Sequence, residues 1–205
     1  MLKVYAFSTP NSVKVPIALE EMGLEYELHG VNIRKGEQKA PEFVALNPNA
    51  KVPVLVDGDL VLSESAAILV YLAEMSGKLL PASGPARART FEQLFFNAAG
   101  LGPAFGNAGF FRKFAPEPIP LAIDRFGNEA VRIVGVLNDL LATQEFVAGD
   151  ALTIADIAHF GWLWRRQFAE VPIDGAPNLQ RWYDALEARP AFQRAIERTT
   201  ALASG

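Results

Sequence analysis

The stretch Val52–Met75, VPVLVDGDLVLSESAAILVYLAEM, decides the fold. Two short apolar runs flank Asp57-Gly58-Asp59, and an Asp-Gly turn between such runs marks a β-hairpin. The second run passes directly into SESAAILVYLAEM, a strongly apolar helix that ends at Gly77. Upstream, residues 2–7 alternate loosely and predict a strand. Val13–Met22 predicts a helix closed by Gly23, with Pro16 in or just inside its first turn. Tyr26–Ile33 predicts a second strand, KGEQKA a loop, and Pro41–Leu46 a short helix at most. The order is β-α-β, then β-β-α. A helix between the first two strands makes them a parallel pair, and the hairpin adds an antiparallel pair.

GKLLPASGP, residues 77–85, reads as a linker. Beyond it the strand signal nearly vanishes. Helical patterns cover Arg87–Ala99, Ile119–Thr143, Thr153–Phe168 and Asn178–Ala188, and a last one starts at Ala191. The expected domains are 1–78 (small mixed sheet with helices), 79–86 (linker) and 87–205 (helical bundle).

Composition narrows the function. The chain has 205 residues, is half apolar with 14 Phe, and carries a net charge of −4. It is long enough to bury a core and too apolar for disorder. It lacks the basic footprint of a nucleic-acid partner. No apolar run approaches the ~20 residues that span a bilayer. MLKVYAFSTPN turns polar too soon for a signal peptide, so a cytoplasmic protein is expected. There is no cysteine, and the histidines are His29 and His159 alone. Thiolate metal sites and protein-based thiol catalysis are therefore excluded, and a His-rich metal centre is not expected. Any sulfur chemistry needs a sulfur from a small molecule.

Several clusters invite chemistry. LSESAAI sets Ser63, Glu64 and Ser65 where a strand meets a helix. Free N–H groups and the helix dipole there suit a carboxylate, Ser65 adds a hydroxyl, and Glu64 suits a neighbouring ammonium. Taken alone, a simple serine N-cap is the plainer reading. Val52-Pro53 enters a strand, where a cis bond would expose the Val52 N–H and C=O to an extended peptide; most X–Pro bonds are trans. TIADIA, from Thr153, is a capping box with Asp156, a folding signal that also assigns His159 to the core or an interface. GLGPAFG, Gly100–Gly106, lacks the spacing of a dinucleotide loop and predicts close helix packing or a break in one long helix. Arg132, within AVRIVGVL, needs a carboxylate or ligand if interior; a surface position is the plainer alternative. In STPNS, Ser12 reads as a cap, alone or with Asn11, and Ser8 as the end of the strand.

The order of these pieces, with ALEEMGLEYEL, NPNAKVPVLVD, LSESAAILVYLAE and LTIADIA, resembles the cytosolic glutathione transferases from Leu2 to about Phe192. TPN at Thr9–Asn11, VNIRKGEQKAPEF, GLGP and IPLAIDRF are similar to the bacterial nu class and its fungal nitrogen-regulator-like relatives. Ser12-Val13 and Asn107 depart from that pattern, where Gly-His and Gln are more usual. The resemblance implies an α/β thioredoxin-like N-terminal domain that binds glutathione, with an all-α C-terminal domain that helps build the second pocket. That pocket would draw on Asn97–Phe114 and the last helices. It also implies a homodimer and no metal.

By the same resemblance, Val52-Pro53 is a cis turn whose Val52 backbone pairs with the cysteinyl part of glutathione, and Glu64 with Ser65 grips the γ-glutamyl head. Gln38, Lys51 and Arg132 approach the tripeptide. Thr9 and Asn11 face the sulfur as catalytic donors. A free thiol has a pKa near 8.5, and a hydroxyl or amide donor aimed at sulfur favours the thiolate. The implied activity is glutathione transfer to an electrophile, with peroxide or disulfide reduction as variants. The alternative is a glutathione-binding regulator without turnover.

Overall fold

The computed structural model describes residues 1–203. It divides into two compact units, Met1–Leu80 with the chain from Glu187 onward, and Pro81–Leu186.

The first unit is built on a four-stranded sheet: β1 Leu2–Ala6, β2 Tyr26–Gly30, β3 Val54–Asp57 and β4 Leu60–Ser63, in the order β2-β1-β3-β4. β1 and β2 are parallel, and β1–β3 and β3–β4 are antiparallel. This is the mixed sheet read from the sequence. Gly58, at φ +58°, occupies the hairpin loop, where a side chain would be strained. Alternation sorts the two faces. Tyr5 and its register partner Val54 face a cluster with Val31 and Phe43. Val4 and its partner Leu55 are fully buried on the other face.

The helices of this unit are α1 (Lys14–Met22), α2 (Pro41–Leu46) and α3 (Ser65–Ser76). Phe43 of α2 fills the Tyr5 face, and α3 packs on β3, β4 and α1. Both α1 and α3 end on glycines in the left-handed region, Gly23 and Gly77, as the sequence predicts. A single 3₁₀ turn, Glu37–Lys39, interrupts the loop before α2.

The helical unit contains α4 (Gly84–Phe96), α5 (Gly102–Lys113), α6 (Pro120–Leu140), α7 (Ile154–Trp164), the short α8 (Arg166–Ala169) and α9 (Pro177–Glu187). The sequence reading has no helix over 102–113. Three glycines and Pro103 mask its periodicity, because such residues weaken intrinsic helix preference. Packing explains why the helix forms. A Cβ on Gly106 would stand 3.2 Å from the Trp162 ring, and one on Gly109 would overlap Phe168. Bare backbone lets α5 approach α7 and α8. A π-helical turn, Asn97–Leu101, joins α4 to α5, so GLGP reshapes a helix and permits close packing.

The Thr153 capping box forms as predicted. Asp156 accepts from Thr153 N–H at 2.9 Å, Val147 N–H at 2.8 Å and the Trp182 indole at 3.0 Å. Burial nevertheless pushes its carboxyl above the ordinary range. His159 is buried with Nε2 3.1 Å from the Gln93 carbonyl, a core histidine.

The last helix, α10 (Pro190–Ala201), follows the helical run in the chain but packs on α1 of the first unit. Arg189 grips Glu21 through two hydrogen bonds of 2.6 and 2.8 Å. Arg194 and Arg198 both reach Glu20. Burial works to raise the Glu20 carboxyl, but bonds from Arg194, Arg198 and Tyr26 outweigh it and hold the pKa below the usual range.

The glycines of this half separate packing from propensity. Gly109→Ala should lower the unfolding free energy by about 1–3 kcal/mol through overlap with Phe168. Gly135→Ala, whose Cβ enters open space on α6, should raise it by up to about 1 kcal/mol. Urea unfolding of the two variants reads both signs.

Candidate functional site

The strand β4 hands over to α3 through one residue. Glu64 is the N-cap of α3, at φ +69° and ψ +109°, and no side chain caps this helix. The predicted serine cap is therefore absent. Ser65 is instead the first residue of the helix, buried, and its hydroxyl bonds to no other described residue. The N-terminal N–H groups of α3 face the site without a side-chain acceptor, which is the setting for a carboxylate.

Around that helix start lies a depression of about 50 Å³, lined by Asn11, Asn47, Lys51, Val52, Pro53, Glu64 and Ser65. It is the size of a carboxylate, since one liquid water occupies about 30 Å³. A ligand larger than a carboxylate would extend beyond the depression over the open surface. The Val52-Pro53 bond is cis, as the resemblance implied and as general base rates did not. Lys51 and Glu64 are exposed charged groups at the rim.

Five expected residues of the first unit thus meet in one place: Lys51, Val52, Pro53, Glu64 and Ser65, with Asn11 beside them. Thr9 does not line the depression. It lies in the β1–α1 loop, where its hydroxyl and that of Ser12 are 2.9 Å apart and Oγ1 accepts from Ser12 N–H at 3.1 Å. Ser12 Oγ also takes a hydrogen bond from Phe7 N–H. Ser12 is therefore not the predicted cap. The N-cap of α1 is Val13, without a side-chain bond, and Ser12 instead anchors Thr9. Thr9 Oγ1 donates to Ser12 Oγ, which also accepts from Phe7 N–H, so the Thr9 proton reaches a ligand only when it turns away from Ser12.

Gln38 lies on the 3₁₀ turn outside the depression, with a buried Oε1 that has no hydrogen-bond partner among the described residues. Arg132 is exposed on α6 and pairs with Glu129 through two bonds of 2.8 Å, the surface alternative. Tyr5 points to a separate pocket with His29 and Phe43, its ring stacked on His29 at 5.0 Å.

Two further residues escaped the sequence reading. Asn47 is buried and donates to the Lys51 carbonyl at 2.8 Å while accepting from Asn49 N–H, so it shapes the loop that leads into Val52. Lys14 is 2% exposed and donates to Asn11 Oδ1 at 2.9 Å. Burial lowers its pKa to about 7, against the opposing charge of Glu64. A charged residue among the apolar positions of α1 was the available signal for Lys14. No group of three or more His, Cys, Asp or Glu among the described residues is arranged to hold a metal.

The glutathione S-transferase N-terminal domain family matches residues 1–74, and the C-terminal domain family matches residues 124–190. The chain belongs to the glutathione S-transferase family. Disulfide-bond oxidoreductase YfcG of Escherichia coli is 38% identical over 205 residues, covering 96% of this chain and 94% of that protein. Glutathione S-transferase 1 of Schizosaccharomyces pombe is 39% identical, covering 92% and 91%. A solved glutathione transferase family member from Pseudomonas fluorescens, with two glutathione bound, has a TM-score of 0.91 at 42% identity. It covers 96% of this chain and 92% of that one. A Pseudomonas putida glutathione transferase with one glutathione disulfide per subunit has a TM-score of 0.89 at 39% identity, covering 96% and 90%.

Glu64 holds a backbone conformation that costs L-residues about 1–3 kcal/mol. Glu64→Gly should therefore raise stability by about 1 kcal/mol, and Glu64→Val lower it by a similar amount. Denaturant midpoints of the two variants check the pair; destabilisation by glycine would contradict the strain.

Proposed function

We propose that the chain is a glutathione transferase whose glutathione lies head-first in the depression at the start of α3. The observation that carries this reading is the convergence there of Asn11, Val52, Pro53, Glu64 and Ser65. Each group has a complementary partner on the tripeptide. The γ-glutamyl carboxylate meets the Ser65 hydroxyl and the N-terminal N–H groups of α3, and its ammonium meets the Glu64 carboxylate. The Val52 backbone pairs with the cysteinyl part. Lys51 also lines the depression; for Gln38 and Arg132 the case rests on the family resemblance alone.

Seated this way, the sulfur lies toward the β1–α1 loop. Asn11 Nδ2 and the Thr9 hydroxyl are neutral donors that stabilise thiolate more than thiol. Each unit by which the thiol pKa falls is about 1.4 kcal/mol of that preference. The proton leaves to water, and the thiolate attacks an electrophilic carbon and displaces its leaving group. At a peroxide, the thiolate instead attacks the terminal oxygen, breaking the O–O bond and releasing an alcohol, and a second glutathione condenses with the resulting sulfenic acid to give glutathione disulfide and water.

A second reading is disulfide-bond reduction. The chain has no cysteine, and a relative's structure holds two glutathione molecules. Two glutathiones supply the dithiol. The first thiolate attacks the substrate S–S bond, forming a mixed disulfide and releasing one thiolate. The second attacks the glutathione sulfur, releasing the other thiolate and leaving glutathione disulfide. We place the protein in the nu class, as a cytoplasmic homodimer with a role in detoxification or thiol balance. The described residues include no helix long and apolar enough to cross a membrane.

Ser65→Ala should weaken glutathione binding about tenfold or more by calorimetry, the expected loss of a hydrogen bond to a charged group. Asn11→Ala and Thr9→Ala should lower kcat more than they raise the glutathione KM. A panel with an aryl halide, an organic hydroperoxide and a mixed disulfide ranks the reactions. Unchanged binding in Ser65→Ala would remove the head-first orientation, and no turnover on any arm would leave a binding protein.

A further inference from the structure

We propose that Lys14 is a positioning residue for the thiol: it fixes the Asn11 amide with Nδ2 turned to the sulfur and sets positive charge behind it. The inference rests on the reading of Asn11 given above. It starts from chemistry that leaves one orientation. The protonated lysine Nζ only donates, and in that form the atom it meets at 2.9 Å is the amide oxygen of Asn11. The opposite end of the planar amide, Nδ2, then remains for the depression that Asn11 lines, and no described residue accepts from it. An Asn11 rotated the other way would present oxygen to the sulfur and repel a thiolate.

The position of Lys14 points the same way. It is the first residue of α1, flanked by the fully buried Val13 and Val15, and it is itself buried. An apolar side chain of similar length would fill that space without desolvating an amine. Burial drives the Lys14 pKa down to about 7, with the Glu64 carboxylate acting against it as the charged group set toward it. A buried lysine bonded to a residue that lines a ligand depression fits a functional demand. Its charge also has a direction. Positive Lys14 draws electron density toward Asn11 Oδ1 and leaves the Nδ2 protons more acidic, which strengthens their bond to a thiolate. The thiol proton goes to water, and no bond to lysine forms.

The test follows the ultraviolet absorbance of bound glutathione thiolate against pH. In Lys14→Met the thiol pKa should rise by about one unit, a tenfold loss of thiolate at a given pH. The glutathione KM should change little, and the melting temperature should not fall. In an Asn11→Ala background, Lys14→Met should add less than half that rise, because its effect runs through the amide. An unchanged thiol pKa in folded Lys14→Met, with a shift in Asn11→Ala, overturns the role of Lys14 alone. No shift in either variant overturns the reading of Asn11 as well.

If Lys14→Met does not fold, the unaltered protein still decides the matter. Coupling is reciprocal, so a thiolate should raise the Lys14 pKa. Nuclear magnetic resonance of the lysine amine should report a higher pKa with glutathione than with S-methylglutathione. Equal values overturn the proposal.

Discussion

The turn at Glu64 is the constraint on which the site depends. β4 ends at Ser63 and α3 begins at Ser65, so a single residue must reverse the chain from extended to helical. That residue is not glycine, although its φ of +69° is one that glycine adopts without penalty. The first turn of α3 has no side-chain cap, and Ser65 stands at its first position. The turn also puts a carboxylate next to a helix N-terminus that would itself attract an anion. Acid and anion-binding site side by side make poor sense for folding. They make good sense for a ligand that carries an ammonium next to a carboxylate.

The rest of the first unit brings other groups to that point. The parallel β1–β2 pair directs the β1–α1 loop to the same end of the sheet, where Asn11 reaches the depression. Asn47 shapes the approach to Val52 through the Lys51 carbonyl. The loop polar groups are tied to one another: Ser12 to Thr9, Lys14 to Asn11.

Much of this was legible in the sequence. The hairpin and α3 announced themselves through alternation, an Asp-Gly turn and a closing glycine, all local signals. The capping box at Thr153 was equally local. The misses share a different cause. α5 is helical because Trp162 and Phe168 lie against its glycines, a tertiary effect that overrides weak propensity. Ser12 resembled a helix cap because serine beside a helix usually is one. Its bond to Thr9 depends on how the loop closes. Lys14 was passed over among apolar neighbours because its burial appears only once α1 is packed. The departure from the nu-class pattern at Ser12 itself supplies the tie to Thr9, since a glycine there would have no hydroxyl.

The most direct measurement is a crystal structure of this chain with glutathione. The account predicts the γ-glutamyl carboxylate within hydrogen-bond distance of the Ser65 hydroxyl and the first N–H groups of α3. It predicts the ammonium on Glu64 and the sulfur nearest to Asn11 Nδ2 or the Thr9 hydroxyl. A tripeptide with its head away from the start of α3, or with its sulfur facing another part of the protein, would contradict it.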